Sequence, residues 1–143
     1  MKQNATILVV EDSRTQAIEL QFLLESNGYD VHVSHDGRQA LHWLQSEIPD
    51  VIITDIVMPE VDGYELCRAV REDGRLCQVP VVLLTSLSAP DDVVEGLKCG
   101  ADNFLIKPFE KKSLLSRLHY ILINREMRLT KPTSIGLNIV FDG

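Results

Sequence analysis

Val51-Ile52-Ile53-Thr54-Asp55 is an apolar, β-branched run that stops at a carboxylate. It is too short for a helix and too rich in Val and Ile for a loop, so it reads as a strand buried on both faces. The same reading applies upstream at Ile7–Val10 and downstream at Val81–Leu84 and Phe104–Ile106. A weaker, alternating run, Tyr29-Asp30-Val31-His32-Val33, leads to the turn signal Asp36-Gly37 and reads as an edge strand.

Helical spacing fills the intervals. Ala17, Leu20 and Leu24 mark the first helix, Ala40, Leu41 and Leu44 the second, and Leu66, Ala69 and Val70 the third. A short helix is expected over Asp91–Cys99 and a long one from about Glu110 to Arg128, with Leu114, Leu118, Ile121 and Leu122 as its apolar stripe and its end projecting beyond Ile123. Gly28 and Gly100 stand where helices stop, and Pro49, Pro59, Pro80, Pro90 and Pro108 are assigned to connections. Parallel strands need crossover helices, so five strands alternating with five helices predict an α/β fold. The expected architecture is a three-layer α/β/α sandwich on a five-stranded parallel sheet, in flavodoxin-like order 2-1-3-4-5.

The chain of 143 residues is long enough for one domain with a real core, and its 45% hydrophobic and 24% charged content is that of a globular protein. A net charge of −7 argues against direct nucleic-acid binding, which needs a concentrated cationic surface. Cys67, Cys77 and Cys99 have neither disulfide-framework nor zinc-site spacing, and a cytoplasmic location is the expectation. His32, His35, His42 and His119 show no metal-ligand spacing; these histidines, Trp43 and the cysteines are read as surface or partly buried residues.

Ligand sites of open α/β sheets lie beyond the carboxyl ends of the strands. Those ends carry Glu11-Asp12, Asp55, Thr85-Ser86 and Lys107-Pro108. Clustered carboxylates repel one another unless a cation sits among them, and an all-oxygen set suits a hard ion such as Mg²⁺. Beside that metal, Asp55 is placed to attack a phosphorus atom as a nucleophile, with Thr85 and Lys107 stabilising the phosphoryl oxygens. Each residue alone is better read as a cap, a turn residue or a solvated charge; their convergence from separate strand ends carries the weight.

From about Thr6 to Arg128 the chain resembles the receiver domains of response regulators and hybrid sensor kinases. The resemblance rests on Ile7-Leu8-Val9-Val10-Glu11-Asp12-Ser13, on Asp50–Pro59 with Asp62-Gly63, on Val81–Ser86, and on Gly100–Phe109. It implies that Asp55 accepts a phosphoryl group from a histidine kinase or histidine phosphotransfer protein, and that Glu11, Asp12, Asp55 and the backbone carbonyl of Val57 hold Mg²⁺. It further implies a switch through Thr85 and Phe104 that remodels the surface of the fourth helix, fifth strand and fifth helix, and a cis Lys107-Pro108 peptide. On this resemblance the expected output is an effector domain in the same chain or another protein, a homodimer is compatible with it, and the domain is expected to be a phosphoacceptor that promotes its own phosphoryl transfer rather than an enzyme.

Two features depart from the family pattern. Glu11 stands where Asp is more frequent, and Val57 and Leu87 are apolar at two positions that influence loss of the phosphoryl group, which predicts a long-lived mark. Residues 1–128 are read as the receiver domain. Residues 129–143, with a lone alternating run from Ile135 to Phe141, are read as a linker and the start of a truncated following domain.

Three other functions compete for the same residues. An FMN-binding electron carrier needs phosphate-cradling amides after the first strand, and Glu11-Asp12 repel a phosphate. An aspartate-dependent phosphatase uses a second acid where Val57 stands. A receiver-like interaction module that is never phosphorylated would carry a drifted metal site.

Overall fold

The computed structural model describes residues 4–86 and 90–130. Leu87 and the run Ile135–Phe141 lie outside them. The elements follow in the order β1 (Thr6–Val10), α1 (Arg14–Glu25), β2 (Asp30–Ser34), α2 (Gly37–Leu44), β3 (Val51–Asp55), α3 (Gly63–Glu72), β4 (Val81–Thr85), α4 (Pro90–Lys98), β5 (Asn103–Ile106) and α5 (Lys111–Thr130). The strands pair in parallel in the order β2-β1-β3-β4-β5, as expected from the sequence.

Side chains alternate across a strand, so each central strand feeds two cores. Ile7, Val9, Val51 and Ile53 point to the face covered by α1 and α5, where they meet Leu20, Leu24, Leu114 and Leu118. Leu8, Val10 and Ile52 point the other way, onto Leu44, Leu66, Val70 and Cys99. These two apolar layers fix the register of the sheet, because a one-residue slip would turn every one of these side chains to the wrong face.

Local signals set the helix ends. The side chains of Ser13, Asp36 and Asp62 accept backbone N–H groups at the starts of α1, α2 and α3, and Glu65 completes a capping box with Asp62. Gly28 and Gly100 adopt φ of 91° and 92°, the left-handed turn that ends a helix and that other residues resist.

Three expectations need correction. Pro90 is the first residue of α4 rather than part of a connection; its missing N–H is one that no helix start requires. The strand Phe104–Ile106 is not buried on both faces: β5 is an edge, and Ile106 is 41% exposed. Cys67 and Cys99 are fully buried, with the Cys67 thiol donating to the Cys99 carbonyl oxygen at 3.2 Å. Of the remaining residues singled out, His32 stacks on Trp43 with ring centroids 4.5 Å apart. The distal part of α5 is tied down, since Arg125 Nη1 donates to the Asp50 carbonyl at 2.8 Å.

Candidate functional site

Parallel strands bring their carboxyl ends to one edge, and that edge carries the titratable groups singled out above. Glu11 follows β1 and is held by its backbone N–H, which donates to the Ser34 carbonyl at the end of β2. Asp55 closes β3, with Oδ1 accepting the Ile56 N–H at 2.7 Å. Thr85 closes β4 and is buried; its carbonyl accepts the Lys107 N–H at 2.7 Å, which pins the start of the Lys107-Pro108 turn to β4. The Lys107-Pro108 peptide is cis.

Gly63 supports the base of the site. Its N–H donates to Ile56 O, and a Cβ on it would lie 2.4 Å from Asp55 O. The helix start of α3 can therefore approach the Asp55 backbone only with no side chain at this position.

The carboxylates converge. One ligand oxygen each from Glu11, Asp12 and Asp55 lie within 4.8 Å of one another. Lys107 Nζ faces them, 3.0 Å from Glu11 Oε1 and 3.4 Å from Asp55 Oδ2. Burial pushes the Glu11 carboxyl above its usual range; the Lys107 hydrogen bond, the Ser13 N–H at 3.1 Å and the Lys107 charge pull it back, and the Asp55 charge adds to the rise. A buried acid in this position is stabilised as an anion by added positive charge, and an oxygen-only donor set fits a hard divalent cation.

Val57 lies just past this cluster with its side chain 61% exposed. Phe104 is half-buried against the layer formed with α2 and α3, so close to Gly96 that a Cβ there would meet its ring at 3.0 Å. The site opens into a cleft of about 650 Å³ whose walls include Glu11, Asp55, Lys107, Phe109 and Lys111.

Gln16 also lines this cleft, and the sequence reading passed over it. Its side-chain oxygen accepts from Lys107 Nζ at 2.5 Å. A glutamine in the first turn of a helix carries no signal of its own, so only the folded geometry brings it to the site.

Among the described residues, no helix is long and apolar enough to cross a membrane.

Comparison with known proteins shows the family and the fold. The family model described as the response regulator receiver domain matches residues 7–119. The response regulator MprA of Mycobacterium avium (strain 104) is 40% identical over 126 residues, which cover 88% of this chain and 52% of MprA; the chain spans about half the length of such relatives. The signal receiver domain of a signal transduction histidine kinase from Syntrophus aciditrophicus is 46% identical with a TM-score of 0.80, over 84% of this chain and 91% of that one. The receiver domain of the sensor histidine kinase PA1611 from Pseudomonas aeruginosa PAO1 is 30% identical with a TM-score of 0.78, over 84% of this chain and 98% of its own, and holds a magnesium ion in its active site cleft.

Proposed function

The chain belongs to the response regulator receiver domain family of two-component signalling, and from that premise we propose that Asp55 is its phosphoacceptor. The observation that carries the proposal is the meeting of Glu11, Asp12 and Asp55 within 4.8 Å, with the Lys107 ammonium against two of them. Glu11, Asp12, Asp55 and the Val57 carbonyl hold Mg²⁺. When bound, the ion neutralises the carboxylates and orients the oxygens of the incoming phosphoryl group.

The phosphoryl donor is a histidine kinase or a histidine phosphotransfer protein. A carboxylate oxygen of Asp55 bonds to phosphorus as the donor's P–N bond breaks, and the imidazole leaves. Lys107 covers one phosphoryl oxygen and the Thr85 hydroxyl another. These charge contacts are what a loose, metaphosphate-like transition state requires of a protein. The domain thus promotes its own modification and turns over no external substrate.

Phosphorylation shifts a population only through contacts that differ between two states. Thr85 and Lys107 make those contacts at the phosphoryl group, and Phe104, beside Gly96 of α4, transmits them to the α4–β5–α5 surface read by an effector domain or a second copy. The protein acts in the cytoplasm.

The test is phosphorylation with a small acyl phosphate and Mg²⁺, followed by intact mass. The expected result is one added phosphoryl group that does not form when chelator replaces Mg²⁺ and is absent from Asp55→Asn. A gain that survives Asp55→Asn overturns Asp55 as the acceptor, and no gain at all in the unaltered chain overturns the reading and favours an interaction module that is never phosphorylated.

A further inference from the structure

We propose that Gln16 is a positioning residue that draws the Lys107 ammonium toward the α1 rim of the cleft and keeps its contact with Asp55 long, so that the carboxylates stay open to a divalent cation. The inference rests on the Mg²⁺ site proposed above and assigns a role to a residue outside it.

An ammonium has three donors and no acceptor. Lys107 Nζ has three side-chain acceptors: Gln16 Oε1 at 2.5 Å, Glu11 Oε1 at 3.0 Å and Asp55 Oδ2 at 3.4 Å. The nearest is the neutral amide and the farthest is the phosphoacceptor. A charged N–H···O⁻ contact ordinarily closes to about 2.7–2.9 Å, so the Asp55 contact is left slack by roughly half an ångström. Gln16 Oε1 is the closest of the three acceptors and competes with Asp55 for the ammonium.

The placement of Gln16 is built into the helix start. Its N–H donates to the Ser13 hydroxyl at 3.3 Å, and Ala17 beside it is buried, which fixes how α1 is rotated over the cleft. A neutral acceptor suits the task, because it orients the ammonium without adding a further anion to the acidic set. Without that oxygen, Lys107 has only carboxylates and water to satisfy its third donor. The ammonium then closes on Asp55, occupying one of the oxygens a cation needs and adding positive charge beside it.

The test is calorimetric titration of MgCl₂ into the full chain, with no phosphoryl donor present. Gln16→Met keeps length and helix propensity and removes the acceptor; Gln16→Glu keeps an acceptor. Gln16→Met is expected to weaken Mg²⁺ binding by about fivefold, the scale of one typical hydrogen bond, while Gln16→Glu binds at least as tightly as the unaltered chain. In a Lys107→Ala background Gln16→Met is expected to change nothing, because the residue acts through the ammonium. Unchanged binding in Gln16→Met, a loss that persists without Lys107, or an equal loss in Gln16→Glu overturns the inference and leaves the Mg²⁺ site standing. No Mg²⁺ uptake by the unaltered chain overturns both.

Discussion

Lys107 lies nearer to Glu11, at 3.0 Å, than to Asp55, at 3.4 Å. Its ammonium is thus the compensating charge for a buried acid, while Asp12 and Asp55 add to the negative side. Three carboxylates this close repel one another, and a divalent cation among them would relieve that repulsion.

Removing one of those charges has a measurable consequence. Asp12 is exposed and adds to the acidic cluster, so Asp12→Asn is expected to raise unfolding free energy in chelator by about 1 kcal/mol. Mg²⁺ at tenfold over its Kd should stabilise the unaltered chain by about 1.4 kcal/mol and the variant by much less. Urea unfolding with and without Mg²⁺ reads both; a variant less stable than its parent in chelator contradicts that repulsion.

Gly63 and Gly74 form a matched pair for testing how tightly Asp55 is held. A Cβ on Gly63 would lie 2.4 Å from Asp55 O and 2.8 Å from Ile56 Cα, both backbone atoms, whereas one on Gly74 meets nothing within 4 Å. Gly63→Ala is expected to cost about 2–3 kcal/mol by overpacking and to slow phosphorylation of Asp55. Gly74→Ala should stay within about 0.5 kcal/mol. Equal effects from the two substitutions would mean that the α3 start does not position Asp55.

The strand–helix order was readable because apolar runs such as Val81–Leu84 are too short for helices and are each followed by a helical stripe. The acidic edge was readable for a related reason: in a parallel sheet the residues after each strand must meet, so Glu11, Asp12, Asp55, Thr85 and Lys107 could be listed before any coordinates. What stayed hidden depends on rotation and on long-range packing. Gln16 enters the cleft by the angle at which α1 is capped, and Gly63 matters through a backbone approach across the β3–α3 connection. Burial of Cys67 and Cys99 follows from α3 and the end of α4 closing on one another, which no local pattern records. Glu11 is unusual in the sequence by its side-chain length, but its pairing with Lys107 across the site depends on the fold.

Arg71 joins segments that are distant in sequence. Its guanidinium donates to Gly100 O at 2.9 Å, to Val79 O at 2.6 Å and to Asp102 Oδ2 at 2.6 Å, and that carboxylate also accepts the Val81 N–H at 2.8 Å. Arg71→Ala strands these acceptors together and is expected to cost about 3 kcal/mol. Arg71→Lys should recover little, since an ammonium cannot reproduce the planar fork. Arg68 pairs with Glu95 at the surface, and Arg68→Ala should cost less than about 1 kcal/mol. Chemical denaturation of the three variants is the check; an Arg71→Ala chain as stable as Arg68→Ala would show that the network contributes nothing.

The lifetime of the phosphoryl group follows from what stands two residues past Asp55. Val57 points into solvent with an apolar side chain, so it neither donates to nor accepts from a water approaching the acyl phosphate. Slow hydrolysis of the phosphorylated domain is the expected outcome, with the signal ended by a separate phosphatase or by back-transfer to a histidine. Val57→Asn supplies a carboxamide at the same exposed position and is expected to speed decay by about tenfold, equivalent to about 1.4 kcal/mol of barrier. Quenched intact-mass time courses on purified phosphoprotein measure both rates. Loss within seconds from the unaltered chain would show that another group orients the water, and Gln16 at the rim of the same cleft would be the first residue to substitute.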